Sequence, residues 1–238
     1  MSLKNFDGIL LIDKPAGPTS HDIVDIIRNS YGIKKVGHCG TLDPSATGLL
    51  IIVLGKATKL SEKLMSDDKV YVGSMKLGET TNTYDAEGQI ESHQPVPNLS
   101  IDTLQEEANK FLGDQMQIPP MVSAIKINGT PLYKLARKGQ NIDRKERFIH
   151  LYKFLISEYE YPFAWFKVAC TKGTYVRSLA HDFGKALGCG GHLSGLRRTV
   201  SGKFKVSNAT TLEELTTLSS KELTKRIIPI LKLSAVNK

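Results

Sequence analysis

HCGTLDPSATGLLIIVLG, residues 38–55, runs from a polar loop straight into an unbroken apolar stretch. LLIIVL is too short for an ordinary helix and rich in β-branched side chains, so it reads as a strand buried on both faces. Upstream, GILLID (8–13) has the same character and is stopped by Lys14, Pro15 and Gly17. Between the two, Ser20 suits an N-cap, Ile23, Ile26, Ile27 and Tyr31 share one helical face, Gly32 ends the helix, and Lys34–Gly40 leads into the loop. Downstream the pattern predicts a helix over Lys56–Met65, a strand over Lys69–Leu77, a turn at DAEGQ (85–89) and an amphipathic helix over Ile101–Leu112. An Asn128–Gly129 hairpin turn and a short basic helix follow, then two long β-rich runs, Arg147–Tyr161 and Phe163–Thr171. Thr174 is placed to cap a helix through Leu187, GCGGH (188–192) makes a loop, Val200–Val206 returns as strand and Leu212–Ile227 finishes helical. Strands and helices interleave without regular βαβ spacing. The expected class is therefore α+β, a mixed, largely antiparallel central sheet flanked by helices, in one catalytic domain over residues 1–238.

Composition excludes several classes. The 238 residues are 40% hydrophobic and 24% charged, as in ordinary globular chains, and no apolar run approaches the length of a bilayer span. The N-terminus does not resemble a signal peptide, which points to the cytoplasm. Cys39, Cys170 and Cys189 are odd in number and lack C-x-x-C spacing, so neither a disulfide framework nor a zinc site is expected. The net charge of +8 is segregated. Leu77–Ala108 holds no Lys or Arg, whereas Lys167–Lys205 holds eight basic residues against Asp182 alone, and a second basic stretch runs from Lys126 to Arg147. Such one-sidedness suits a polyanionic partner; scattered solvated faces are the bland alternative.

Familiar catalytic signatures are missing. GLLIIVLGKA (48–57) has the wrong spacing for a phosphate loop, and no G-x-S-x-G, H-E-x-x-H or dinucleotide fingerprint occurs. What remains is Asp43, flanked by Leu42 and Pro44 and bracketed by Gly40 and Gly48. Proline keeps Asp43 out of helical geometry, and the glycines let another backbone approach. By itself it would pass for a solvated turn residue.

Its surroundings say more. HCGTLDPSATGLL (38–50) resembles the signature of the TruB family of bacterial tRNA pseudouridine synthases, and four further blocks agree in order: LLIDKPAGPTSHD (10–22), DKVYVGSMKLGETTNTYDAEGQI (68–90), PPMVSAIKINGTPLYKLARKG (119–139) and KGTYVRSLAHDFGKALGCGGHLSGLRR (172–198). The resemblance implies the pseudouridine synthase fold and a reaction that breaks the N1 glycosidic bond of uridine 55 in the tRNA T loop and rejoins the base through C5. No redox change occurs and no outside atom enters, so neither cofactor nor metal is required.

The same resemblance makes Asp43 the essential carboxylate, as nucleophile or base. It makes Arg177, in the first turn of a helix, the guanidinium that keeps that acid charged, and Tyr71 the ring that stacks on the extruded uracil. By the same resemblance Lys14 would support the catalytic loop, His38 would lie on the RNA-facing edge and Leu196 would wall the uracil pocket, while Arg197 and Arg198, in the basic segment Lys167–Lys205, are expected to contact RNA. A surface ion pair or a phosphate contact for Arg177, plain core for Tyr71 and Leu196, and an idle loop histidine for His38 are the corresponding modest readings. The implied partner is the T arm of tRNA, bound by a monomer without a membrane. Many relatives carry a small C-terminal RNA-binding domain of the PUA type, and its absence is expected here. A tRNA-folding chaperone with weak or no catalysis is the competing function, and another uridine is the competing target.

Overall fold

The structure, a computed structural model, describes residues 6–123, 125–127, 129–140 and 142–234. They fall into two compact units: the chain up to Tyr71 together with the chain from Arg197 onward, and Val72–Leu196. The strands Lys69–Leu77 and Gly191–Ser201 contribute residues to both.

In the first unit, Gly8–Lys14 lies between Thr47–Leu54, antiparallel with Ile12 opposite Leu50, and Thr210–Thr211, which is parallel. Val36–Cys39 pairs antiparallel with the far edge of Thr47–Leu54, and Gly191–Ser201 joins the same strand in parallel at Arg197–Arg198. Because Gly8–Lys14 and Thr47–Leu54 are central, Ile9, Leu10, Ile12 and Leu49–Leu54 are wholly buried, which is why both read as continuous apolar runs. The helix Ser20–Tyr31 buries Ile23, Val24 and Ile27 and ends on Gly32 at φ 66°, as expected. Its cap is Thr19, not Ser20: Thr19 and Asp22 form a reciprocal capping box, which leaves the Ser20 hydroxyl for another task.

The second unit orders its sheet Gly191–Ser201, Lys69–Leu77, Phe163–Cys170, Arg147–Glu160 and Gly113–Gln117. The two long β-rich runs form an antiparallel pair with irregularities at Leu151/Lys153 and Ile156/Glu158. The helix Ile101–Asn109, capped by Ser100, packs on them, and its Gln105 amide bonds Phe154 O and Ile156 N where the ladder is irregular. Phe154 meets Phe166 and Phe183 edge-on at 5.9 and 5.3 Å, which anchors the helix Val176–Ala186. The architecture is thus the mixed, mostly antiparallel sheet with flanking helices that the sequence predicts.

Several boundaries differ. Val36–Cys39 is strand because it can pair with Thr47–Leu54. Gly191 already begins a strand, and Lys56–Met65 opens as a 3-10 helix over Gly55–Leu60. The C-terminal helix is broken into Leu212–Thr217 and Ser220–Arg226, because Ser219 and Glu222 form a capping box of their own after the one that Thr211 and Glu214 make. Asn128 of the expected hairpin turn lies outside the described residues, between the paired strands Lys126–Ile127 and Thr130–Pro131. Among the described residues no helix is long and apolar enough to cross a membrane.

Candidate active site

Asp43 sits half-buried in the loop between Val36–Cys39 and Thr47–Leu54. The loop's main chain is tied at every stage. The Ser20 hydroxyl accepts from Leu42 N at 2.9 Å and donates to Leu42 O at 3.0 Å. Lys14, fully buried, donates to Pro44 O at 3.0 Å and to Pro15 O and Pro18 O at 2.8 Å. Gly17 N also donates to Pro44 O, and Asp43 O accepts from Ala46 N. Arg198, 1% exposed, spans the loop's two ends, with Nε donating to Leu49 O at 2.7 Å and Nη2 to Gly40 O at 2.9 Å. Hydrogen bonds from charged donors contribute roughly 1.5–3 kcal/mol each, so this small stretch is held far more tightly than an ordinary loop. Gly48 has to be glycine: its φ is +98°, and a Cβ there would lie 2.3 Å from Arg198 O.

Of the residues expected at RNA contacts, Arg198 is therefore placed inside, facing carbonyls, where phosphate does not reach it. Arg197 makes a two-pronged pair with Asp13 at 2.9 and 2.7 Å, partly exposed. Beside that pair lies a hollow of about 550 Å3, walled by Asp13, Lys14, Thr47, Arg197 and Thr211 among others; Asp43 does not line it. His38 is half-buried in Val36–Cys39. Burial, aided by His21 and Arg198, lowers its pKa and keeps the imidazole neutral, and its Nδ1 has no hydrogen-bond partner among the described residues. Tyr71 is 9% exposed in Lys69–Leu77.

In the second unit, Arg177 is 5% exposed on the first turn of Val176–Ala186. Thr174 does not cap this helix. Its hydroxyl donates to Thr171 O, and the backbone of Tyr175, at the cap, bonds the Gln117 amide on both sides. The guanidinium donates through Nη1 to Thr83 O at 3.2 Å and through Nη2 to Val122 O at 2.8 Å, and it pairs with Asp85 Oδ2 at 3.3 Å. Asp85, 7% exposed, is fixed in turn by the Thr83 hydroxyl at 2.6 Å and Glu87 N at 3.2 Å. Read from sequence, Asp85 is only part of a turn in an acidic stretch. The available signal was the threonine two residues before it, suited to bond a turn carboxylate. Leu196 is half-buried where Gly191–Ser201 leaves this unit. Among the described residues no three His, Cys, Asp or Glu side chains gather as a metal site requires.

Comparison with known proteins adds a second line. Residues 28–176 match the model of the TruB family pseudouridylate synthase N-terminal domain, and residues 177–233 that of the tRNA pseudouridylate synthase B C-terminal domain. The tRNA pseudouridine synthase B of Opitutus terrae is 48% identical over 227 residues, 95% of this chain and 94% of the relative. That of Syntrophotalea carbinolica is 44% identical over 94% of this chain and 73% of its own length. Among solved structures, a chain from a Cbf5-Nop10-Gar1 complex superposes with a TM-score of 0.73 at 32% identity, covering 93% of this chain; this chain spans 60% of that one.

Proposed function

Since the chain belongs to the TruB family of pseudouridylate synthases, enzymes that form pseudouridine in tRNA, we propose that its target is uridine 55 in the T loop and that Asp43 is the essential carboxylate. The reaction is an isomerisation. The N1–C1′ bond breaks, a C5–C1′ bond forms, C5 gives up its proton and N1 acquires one. Asp43 attacks the nucleoside or removes a proton from its sugar. Tyr71 stacks on the uracil once it has left the stack of the loop, and Arg177 is the third catalytic group, its charge favouring an ionised acid. Unstacking a loop base costs a few kcal/mol, which phosphate contacts from the basic segments offset. Lys14 supports the catalytic loop, His38 and Leu196 border the RNA and base, and Arg197 contributes at the RNA face. The chain acts in the cytoplasm as a monomer, and residues 1–238 serve as one catalytic domain.

The observation that carries this reading is the immobilised loop. A half-buried aspartate on a backbone fixed by Ser20, Lys14 and Arg198 is pre-positioned for chemistry, whereas a binding module gains nothing from an acid held among basic segments. The test is to incubate the protein with an unmodified tRNA transcript and map pseudouridine by position. Conversion at uridine 55 by the parent, with none by Asp43→Asn and tRNA binding within several-fold, is the expected result. Substantial product from Asp43→Asn removes the acid from its role; modification elsewhere removes the assigned target.

A further inference from the structure

The second unit holds a contact that the reaction scheme leaves unused. Tyr84 is the one non-glycine residue with positive φ among the described residues, at 64°. A tyrosine pays for that backbone in strain, and such conformations persist only where the surroundings over-determine them. Here they do. Tyr84 N donates to Thr81 O, Tyr84 O accepts from Leu193 N, and Ala86 N donates to Leu193 O. The Tyr84 ring lies flat on the His181 imidazole, with centroids 3.9 Å apart and planes 18° apart.

The neighbours of Tyr84 explain the arrangement. Thr83 O and Asp85 Oδ2, on either side, both take the Arg177 guanidinium. Arg177 and His181 are four residues apart on Val176–Ala186 and so share one helical face. Three consecutive loop residues thus address two side chains of one helix: the outer two grip Arg177, and the middle one, turned by its left-handed backbone, covers His181. The imidazole's Nδ1 is buried without a hydrogen-bond partner among the described residues, so packing against the tyrosine ring fixes its orientation. Burial and the nearby Lys185 lower the His181 pKa, and the neutral ring adds no second positive charge beside Arg177.

We propose that the Tyr84–His181 stack is a positioning device for Arg177, locking the Thr83–Asp85 segment onto the helix so that the guanidinium keeps one orientation during pseudouridine formation. The inference rests on the catalytic reading of Arg177. Neither Tyr84 nor His181 touches the substrate in this account; both act through the arginine.

The test compares Tyr84→Phe, Tyr84→Gly, His181→Leu and Arg177→Lys with the parent, measuring single-turnover conversion of a tRNA transcript, tRNA affinity and melting temperature. Tyr84→Phe keeps the stacked ring and converts within about twofold of the parent. Tyr84→Gly deletes the ring while suiting the left-handed backbone, so melting holds while the rate falls on the order of 10- to 100-fold with affinity nearly unchanged, as for a misplaced group. His181→Leu removes the stack from the helix side and shows the same fall. A parental rate in either Tyr84→Gly or His181→Leu, with Arg177→Lys slow, refutes the positioning role alone. A parental rate in Arg177→Lys refutes the arginine's catalytic role, and the inference falls with it.

Discussion

Replacing Arg198 by methionine separates a structural brace from an RNA contact. The guanidinium is 1% exposed and satisfies two main-chain carbonyls, Leu49 O and Gly40 O, at opposite ends of the Asp43 loop. Methionine fills a similar space and leaves both acceptors without that donor. A buried acceptor stranded in this way costs roughly 1–3 kcal/mol, so the pair costs about 2–6 kcal/mol. A domain of this size loses roughly 2–4 °C of melting temperature per kcal/mol, which puts the expected drop at no less than about 4 °C. Scanning calorimetry reads that drop directly. The salt dependence of tRNA binding supplies the other half. A phosphate contact contributes a slope of about 0.7–0.9 in log affinity against log salt, and its loss would flatten the plot by that much; a brace leaves the slope as it was. Arg198→Met that melts with the parent and shows the shallower slope would refute the assignment and return Arg198 to the RNA surface.

Two further outcomes follow from the geometry. Ser20→Ala removes a hydroxyl that both donates to and accepts from Leu42, and urea denaturation is expected to register a loss of about 1–3 kcal/mol together with slower conversion. Asp182 is pushed by burial from 3.8 up to about 6, with Lys185 pulling the other way, so the folded chain favours its protonated form and that advantage is lost as pH rises through about 6. Asp182→Asn is therefore expected to melt higher than the parent at about pH 8 and level with it below about pH 4, a difference that melting curves across pH reveal; equal melting throughout would show that burial imposes no penalty there.

The sequence disclosed whatever rests on continuous or periodic apolar pattern. Gly8–Lys14 and Thr47–Leu54 are legible because central strands need apolar residues on both faces, and Lys69–Leu77 and Arg147–Glu160 by their length and alternation. The Asp43 loop was legible through its motif and its flanking Pro44 and Gly48. What stayed hidden is how polar side chains are spent. Thr19 and Ser20 are equally good caps on paper; only the approach of Leu42 decides that the serine serves the loop. Arg198 carries the same charge whether it meets phosphate outside or carbonyls inside, and basic clustering favoured the outside. Asp85 finds Arg177 from a distant part of the chain, and no local periodicity encodes that partnership. Ser219 looked like an ordinary helix residue until its reciprocal bond with Glu222 started a new helix.

The ties that Arg198, Ser20 and Lys14 make to the Asp43 loop end on main-chain atoms: Gly40 O, Leu42 N and O, Pro44 O and Leu49 O. Its outward side chains, Thr41, Pro44 and Ser45, are exposed. Substitution at Ser45 consequently leaves the anchorage untouched. Cys39, Cys170 and Cys189 are all buried, and burial pushes the Cys39 and Cys189 thiols up, away from the reactive thiolate. A cysteine installed at Ser45 would accept a maleimide dye ahead of the native three, placing a fluorescent reporter two residues from the carboxylate without first stripping the protein of its own sulfhydryls.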